Sequence, residues 1–129
     1  MTQLYPAELR YDKEHEWIKA EGSLGTVGIT HYAQDQLGDV VYVELPPAGK
    51  ELKAREEFGV VESVKSVSSL YCPVAGKVVE VNSELNHKTQ LVNDDPYGQG
   101  WMIKIEMSDP AELNNLLSAT DYKKLVETK

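Results

Sequence analysis

From its first tryptophan to its second, this chain is a succession of short runs of alternating apolar and polar residues, each closed by glycine, proline or asparagine. Glu14-His15-Glu16-Trp17-Ile18-Lys19 alternates and turns at Glu21-Gly22, and Leu24 to Ile29 reads as the return strand of an N-terminal hairpin. Thr30 is a good N-cap for two helical turns over His31 to Leu37, which Gly38 ends. Val40 to Leu45, the segment Val60 to Tyr71 led in by Phe58-Gly59, Lys77 to Val81 and Trp101 to Ile105 read as further strands. Pro46-Pro47-Ala48-Gly49 and the stretch from Asn93 to Gly98 supply turns. Runs this short cannot make a bundle or a doubly wound α/β sheet. They predict a mainly β fold, a small barrel or sandwich, with helices at its edge.

The period changes only at the C-terminus. Asp109, Pro110 and Glu112 have the form of a capping box, Leu113, Leu116 and Leu117 recur at helical spacing, and Thr120 is placed to cap a last helix carrying Tyr122, Leu125 and Val126. At 129 residues and 41% hydrophobic, the chain is long enough for one core. We expect a single domain over residues 1–129, with a β core over 14–106 and a helical segment over 109–128.

A short internal echo refines the picture. Gly38-Asp39-Val40-Val41-Tyr42-Val43-Glu44 resembles Gly76-Lys77-Val78-Val79-Glu80-Val81-Asn82. A glycine-headed strand lies downstream of each copy, Gly59-Val60-Val61 and Gly100-Trp101-Met102. Two similar half-sheets around a shared core would produce this pattern. Lys65 then falls between the halves, at the turn after the strand that follows the first copy.

The net charge of −8 excludes nucleic acid as the main partner, since phosphate binding needs a basic stripe. No apolar run approaches the roughly 20 residues of a membrane span. The opening residues lack the apolar stretch of a secretory signal and are too acidic for a transit peptide, so a cytoplasmic, bacterial-type location is expected. Cys72 is the only cysteine, which fits a reducing compartment and excludes an internal disulfide.

Catalytic signatures are missing. His15-Glu16-Trp17-Ile18-Lys19 begins like a zinc-protease helix but ends in lysine, and His15, His31 and His87 are far apart, so no metal site is expected. Gly98-Gln99-Gly100 opens a glycine fingerprint that Ile103 breaks. Asp94 and Asp95 read as turn residues, Trp17, Phe58, Tyr97 and Trp101 as core or half-buried aromatics, and Cys72 as a structural thiol.

That leaves Lys65, a single long amine in Val60-Val61-Glu62-Ser63-Val64-Lys65-Ser66-Val67-Ser68-Ser69-Leu70-Tyr71. Most lysines in such a turn are simply solvated. A Schiff-base lysine needs a depressed pKa, and Glu62 would act against that. A lysine displayed to a modifying enzyme needs a protruding tight turn, small neighbours and a rigid sheet beneath. Ser63-Val64-Lys65-Ser66-Val67 between two strands meets all three requirements.

Glu62-Ser63-Val64-Lys65-Ser66 strongly resembles the lipoyl-attachment motif of the glycine cleavage H-protein family. The likeness extends along the chain through His15-Glu16-Trp17, Gly28-Ile29-Thr30, Ala33-Gln34-Asp35, Leu37-Gly38-Asp39, Val43-Glu44-Leu45-Pro46, Pro73-Val74-Ala75-Gly76, Leu91-Val92-Asn93, Pro96-Tyr97-Gly98 and Gly100-Trp101. Relatives often carry Ala where Ser66 stands, Asp at Ser69 and His at Gln36. The resemblance implies a barrel-sandwich hybrid of the lipoyl and biotinyl carrier kind, with lipoic acid bound covalently to Lys65. It further implies a non-catalytic, monomeric carrier. Such a carrier would take the aminomethyl group of glycine from a pyridoxal-phosphate glycine decarboxylase to a tetrahydrofolate-dependent aminomethyltransferase. Its electrons would pass to dihydrolipoamide dehydrogenase, and a lipoate-attaching enzyme would load it.

A relay that donates lipoyl groups to other enzymes needs the same lysine and is the alternative. A biotinyl carrier would place methionine on both sides of the lysine, where Val64 and Ser66 stand. A lipoyl domain of a 2-oxoacid dehydrogenase would have no use for the N-terminal hairpin or the C-terminal helices. Glu62 is expected to be read by the attaching enzyme. The acidic residues Glu14, Glu16, Glu56, Glu57 and Glu62 are expected to form a surface that steers partners.

Overall fold

In a computed structural model, residues 4–127 are described, and their strands form two antiparallel sheets. The strands are β1 (Arg10–Tyr11), β2 (Glu16–Glu21), β3 (Leu24–Ile29), β4 (Val40–Glu44), β5 (Glu51–Leu52), β6 (Glu57–Ser63), β7 (Val67–Tyr71), β8 (Gly76–Val81) and β9 (Ile103–Met107). Six of them pair in the order β1-β2-β3-β9-β8-β5, and the other three in the order β4-β6-β7. The helices are α1 (His31–Leu37), a single turn α2 (Leu91–Asp94) and α3 (Ala119–Glu127). The mainly β, barrel-sandwich architecture is therefore as the sequence predicts. The expected bounds at residues 1–3 and 128–129 lie outside the described residues.

Local chemistry explains most elements. The β2–β3 hairpin closes over Gly22 and Ser23, with Glu21 paired to Leu24 and Gly22 at φ +64°. The Thr30 hydroxyl caps α1 by accepting from the Ala33 N–H at 3.2 Å, and the Gly38 N–H closes the helix on the Gln34 carbonyl at 3.0 Å. The main core lies between the sheets and includes Val27, Val61, Leu70, Val78, Met102, Ile103 and Ile105. A second cluster of Leu9, Tyr11, Trp17 and Tyr122 sits where α3 meets β1 and β2. Val61 and Leu70 are each 1% exposed beneath the β6–β7 turn, and each contributes about 2 kcal/mol on burial. The hairpin thus has a firm base under an exposed tip.

The echo has a structural counterpart. β4 pairs with β6, β8 pairs with β9, and in each pair the register shifts at the same motif position, Val41 in one copy and Val79 in the other. Both bulge valines are exposed, as an unpaired bulge residue tends to be.

Several expectations are corrected. β2 starts at Glu16 because His15 adopts φ +77° and breaks the alternation read from Glu14. The last strand starts at Ile103, since the Trp101 carbonyl is taken by the Asn82 side chain at 2.7 Å. Pro110–Asn115 is a 3₁₀ segment, and no capping box forms. Asp109 accepts from the Ala111 N–H, while Glu112 instead accepts from the Ala75 N–H at 3.0 Å, a tertiary partner. The final helix starts one residue before Thr120, and the Ser118 hydroxyl caps it by accepting from the Asp121 N–H.

Candidate functional site

The turn between β6 and β7 is built by one serine. The Ser63 N–H donates to the Ser66 carbonyl at 2.8 Å, and the Ser63 hydroxyl oxygen accepts from the N–H groups of Lys65 (3.2 Å) and Ser66 (3.0 Å). Small residues are needed here because the hydroxyl must fold back inside its own turn. The turn is also tied to the loop after α1, where the Val64 N–H donates to the Asp39 carbonyl at 3.0 Å. Lys65 is exposed at the tip, between Val64 and Val67, which are exposed as well.

The lysine stem lies over Gly38. A Cβ at that glycine would come within 3.0 Å of Lys65 Cε and 3.5 Å of Nζ. Gly38 also sits at φ +81°, ψ −159°, a region open to glycine alone. One residue therefore supplies both a backbone geometry and a seat for the lysine.

Beside the turn is a cleft of about 270 Å³ between the outer edge of β7, α1 and residues 14–16. Its floor is apolar, with Ile29, Leu37 and Val61 among its residues, and Gln36, Ser66 and Ser69 all line it.

Glu16 forms part of one wall and is only 2% exposed. One of its oxygens accepts from the Tyr71 N–H on the free edge of β7 at 3.1 Å, and Oε1 has no hydrogen-bond partner among the described residues. Burial pushes its carboxyl up to about 9; the Tyr71 N–H opposes the shift and the charges of Asp12 and Glu14 add to it. Glu16 is thus a neutral acid at pH 7. It is not part of an acidic surface, which corrects the sequence expectation. It is buried because β2 is covered on both faces here, Ile18 entering the main core and Trp17 the aromatic cluster. Its neighbour His15 shares a 2.8 Å hydrogen bond with the Tyr122 hydroxyl, which shares another of 2.7 Å with Thr30. Through this network α3 braces the cleft wall.

The remaining candidates are placed apart from the turn. The His31 backbone N–H donates to the Tyr97 hydroxyl at 2.9 Å, and His87 is exposed. Among the described residues no three His, Cys, Asp or Glu side chains are grouped to hold a metal ion. Cys72 is fully buried, donates its thiol hydrogen to the Val74 carbonyl at 3.1 Å, and burial raises its pKa to about 12. Asp95 is a turn residue that accepts from the Gln99 N–H. Trp17 and Phe58 are buried, Tyr97 and Trp101 half-buried. Among the described residues no helix is long and apolar enough to cross a membrane. The sequence reading placed Glu16 on an acidic surface and assigned no structural role to the seat at Gly38 or to Asn93. The positive φ of Gly38 was hinted at only by its place as a helix stop.

Two antiparallel sheets that present a lysine on a tight, small-residue hairpin define a carrier domain of the lipoyl and biotinyl kind. The family model described as Glycine cleavage H-protein matches residues 9–129. The glycine cleavage system H protein of Symbiobacterium thermophilum is 66% identical over 117 residues, covering 91% of each chain. That of Carboxydothermus hydrogenoformans is 60% identical over 122 residues, covering 95% of this chain and 94% of the other. A crystal structure of a glycine cleavage system H protein from Mycobacterium marinum superposes with a TM-score of 0.86 at 37% identity, over 95% of this chain and 98% of that one. The chain belongs to the glycine cleavage H-protein family, the lipoyl carriers of the glycine cleavage system.

Proposed function

We propose that the chain acts as one carrier unit, itself without catalytic activity, and that Lys65 holds lipoic acid in amide linkage. The carrying observation is the turn: an exposed amine, flanked by small side chains, on a hairpin whose base is buried. The residues fit the group, because Gly38 leaves open the strip along which the lysine stem runs. Attachment joins the lysine Nζ to the carboxyl carbon of an activated lipoate, breaking the bond to its leaving group, releasing the ammonium's two surplus protons and removing the lysine charge. When bound, the group supplies a dithiolane sulfur for the aminomethyl group of glycine and a dithiol for reoxidation. The chain supplies the tether, which keeps that chemistry at high local concentration.

The cleft beside Lys65 gives the chain a second task. An ammonium entering it meets Glu16, whose free oxygen is the buried acceptor there. Pairing would draw the proton off Glu16, since an adjacent cation favours the carboxylate.

The partners in this reading are glycine decarboxylase, aminomethyltransferase, dihydrolipoamide dehydrogenase and a lipoate-attaching enzyme, with a monomeric carrier in the bacterial cytoplasm. The support is the family membership and the bacterial relatives. Glu62 would be read by the attaching enzyme. It is half-buried on β6 with Tyr42 and Val67 directly across from it on the neighbouring strands. Glu62→Gln should slow lipoylation and leave the circular dichroism spectrum unchanged; parental kinetics would make it an ordinary strand-end charge. The deciding experiment for the whole reading is intact-mass and peptide mapping after expression with lipoate. A lipoyl increment on Lys65 is expected, and one on any other residue would overturn the assignment.

A further inference from the structure

We infer that Asn93 is a positioning residue for the lysine-bearing turn, acting through a single peptide group. The inference rests on the reading of Lys65 as the attachment point. Asn93 stands on α2, an element that contributes nothing to the hairpin. Its three described side-chain hydrogen bonds converge on α1, the loop after it and the first residue of β4. Oδ1 accepts from the Val40 N–H at 2.9 Å, and Nδ2 donates to the Gly38 carbonyl at 2.8 Å and to Gln34 Oε1 at 3.1 Å.

The peptide joining Asp39 to Val40 is the relay. Its N–H points at Asn93, and its carbonyl, on the opposite side of the same trans unit, accepts from the Val64 N–H at 3.0 Å. A peptide is planar, so fixing one end fixes the other, and each hydrogen bond in such a chain polarises the next. The Gly38 carbonyl, held by Nδ2, fixes the preceding peptide. Gly38 has the glycine-only conformation that would otherwise leave that peptide free to rotate. The result is a continuous line from α2 to the residue next to Lys65, with the lysine stem resting on the same clamped loop.

The test uses the full-length apo protein. Backbone amide exchange is followed by NMR, and lipoylation by an attaching enzyme supplied with lipoate. In Asn93→Ala the Val40 and Val64 amides should exchange about tenfold faster, the scale of one lost hydrogen bond, while β8 and β9 amides keep parental rates. The KM for the protein substrate should rise by about the same factor, because the turn must be ordered on docking, with kcat within about twofold of the parent. Asn93→Asp keeps the oxygen that faces Val40 but turns a second acceptor on the Gly38 carbonyl and Gln34 Oε1, so it should also loosen the loop and selectively speed Val40 and Val64 exchange. Gln34→Ala removes only the contact outside the relay and should leave Val64 unchanged. A purely structural Asn93 would raise exchange throughout the sheets in both variants, or would lower kcat as much as it raises KM. Either result overturns the inference, as does a parental Val64 rate in Asn93→Ala. If Asn93→Ala does not fold, the contrast between Asn93→Asp and Gln34→Ala decides. If the parent takes up no lipoyl mass at Lys65, the attachment reading fails, while the exchange rates still report on the relay.

Discussion

Gly38–Glu44 and Gly76–Asn82 share a sequence pattern, an antiparallel partner and a bulge at the same position, yet they are put to different uses. In the second copy β8 is an interior strand, held by β9 on one side and β5 on the other, and Gly76 is packed against the Glu106 backbone. In the first copy β4 and its partner β6 belong to a sheet of only three strands, and the next strand, β7, has a free edge. That edge opens the cleft, and its Tyr71 N–H is satisfied by Glu16 rather than by another strand. The glycine heading the copy faces the exposed lysine stem instead of a backbone carbonyl. The same strand pair therefore serves as scaffold where both edges are covered and as a display platform where one is left open.

Substitutions can break or sharpen this contrast. Gly76→Ala should be the most damaging, because its Cβ would lie 2.6 Å from the Glu106 carbonyl oxygen within a paired ladder. A loss of about 3 kcal/mol or more in denaturant melts is expected. Glu16→Gln should act in the other direction. Folded Glu16 keeps its proton up to about pH 9, whereas an unfolded glutamate releases it near the usual 4.5. Between these values folding takes up a proton, so the parent loses stability as pH rises. The variant lacks that slope, and its advantage should grow by about 2 kcal/mol from about pH 5 to 8, within the linkage ceiling of about 1.4 kcal/mol per unit. A constant gap across that range would show that Glu16 ionises normally.

Gly38→Ala should destabilise less than Gly76→Ala, by about 1.5 kcal/mol from backbone strain, since the atom it meets is the far end of a flexible side chain. Its larger signature should be slower lipoylation, measured by mass against time. Lys65→Arg should be the mildest for the fold, within about 0.5 kcal/mol by thermal melt, although arginine offers no amine for acylation and lipoyl incorporation should vanish. A large loss of stability would make Lys65 a structural residue.

The display half was the more readable of the two in the sequence. Lys65 stands out because its flanks alternate, its neighbours are small and the turn bonds are local to Ser63 and Ser66. β1 and β5, two residues each, are too short to show any period and exist only through their partners. Asp109 to Glu112 has the composition of a capping box, but the Ala75 N–H competes for the glutamate and wins. Glu16 is an acid by type, but it shares the face of β2 that carries Ile18 into the main core, and the neighbouring β7 backbone covers it there. Asn93 stands in the family-like run Leu91-Val92-Asn93, but its role was illegible because its partners Gln34, Gly38 and Val40 lie far away in the chain.

The burial of Cys72 has a chemical corollary for the proposed lipoyl arm, whose dithiolane is a strained disulfide ring. Thiolates attack disulfides to form mixed disulfides, at rates set by their ionised fraction and by access. The chain's single sulfhydryl is sealed in the core with its proton held to the Val74 carbonyl and its pKa raised to about 12. If Lys65 bears the proposed arm, such a thiol would neither capture its dithiolane nor cross-link two carriers through their arms. The exchange chemistry would thereby be left to the partner enzymes proposed above.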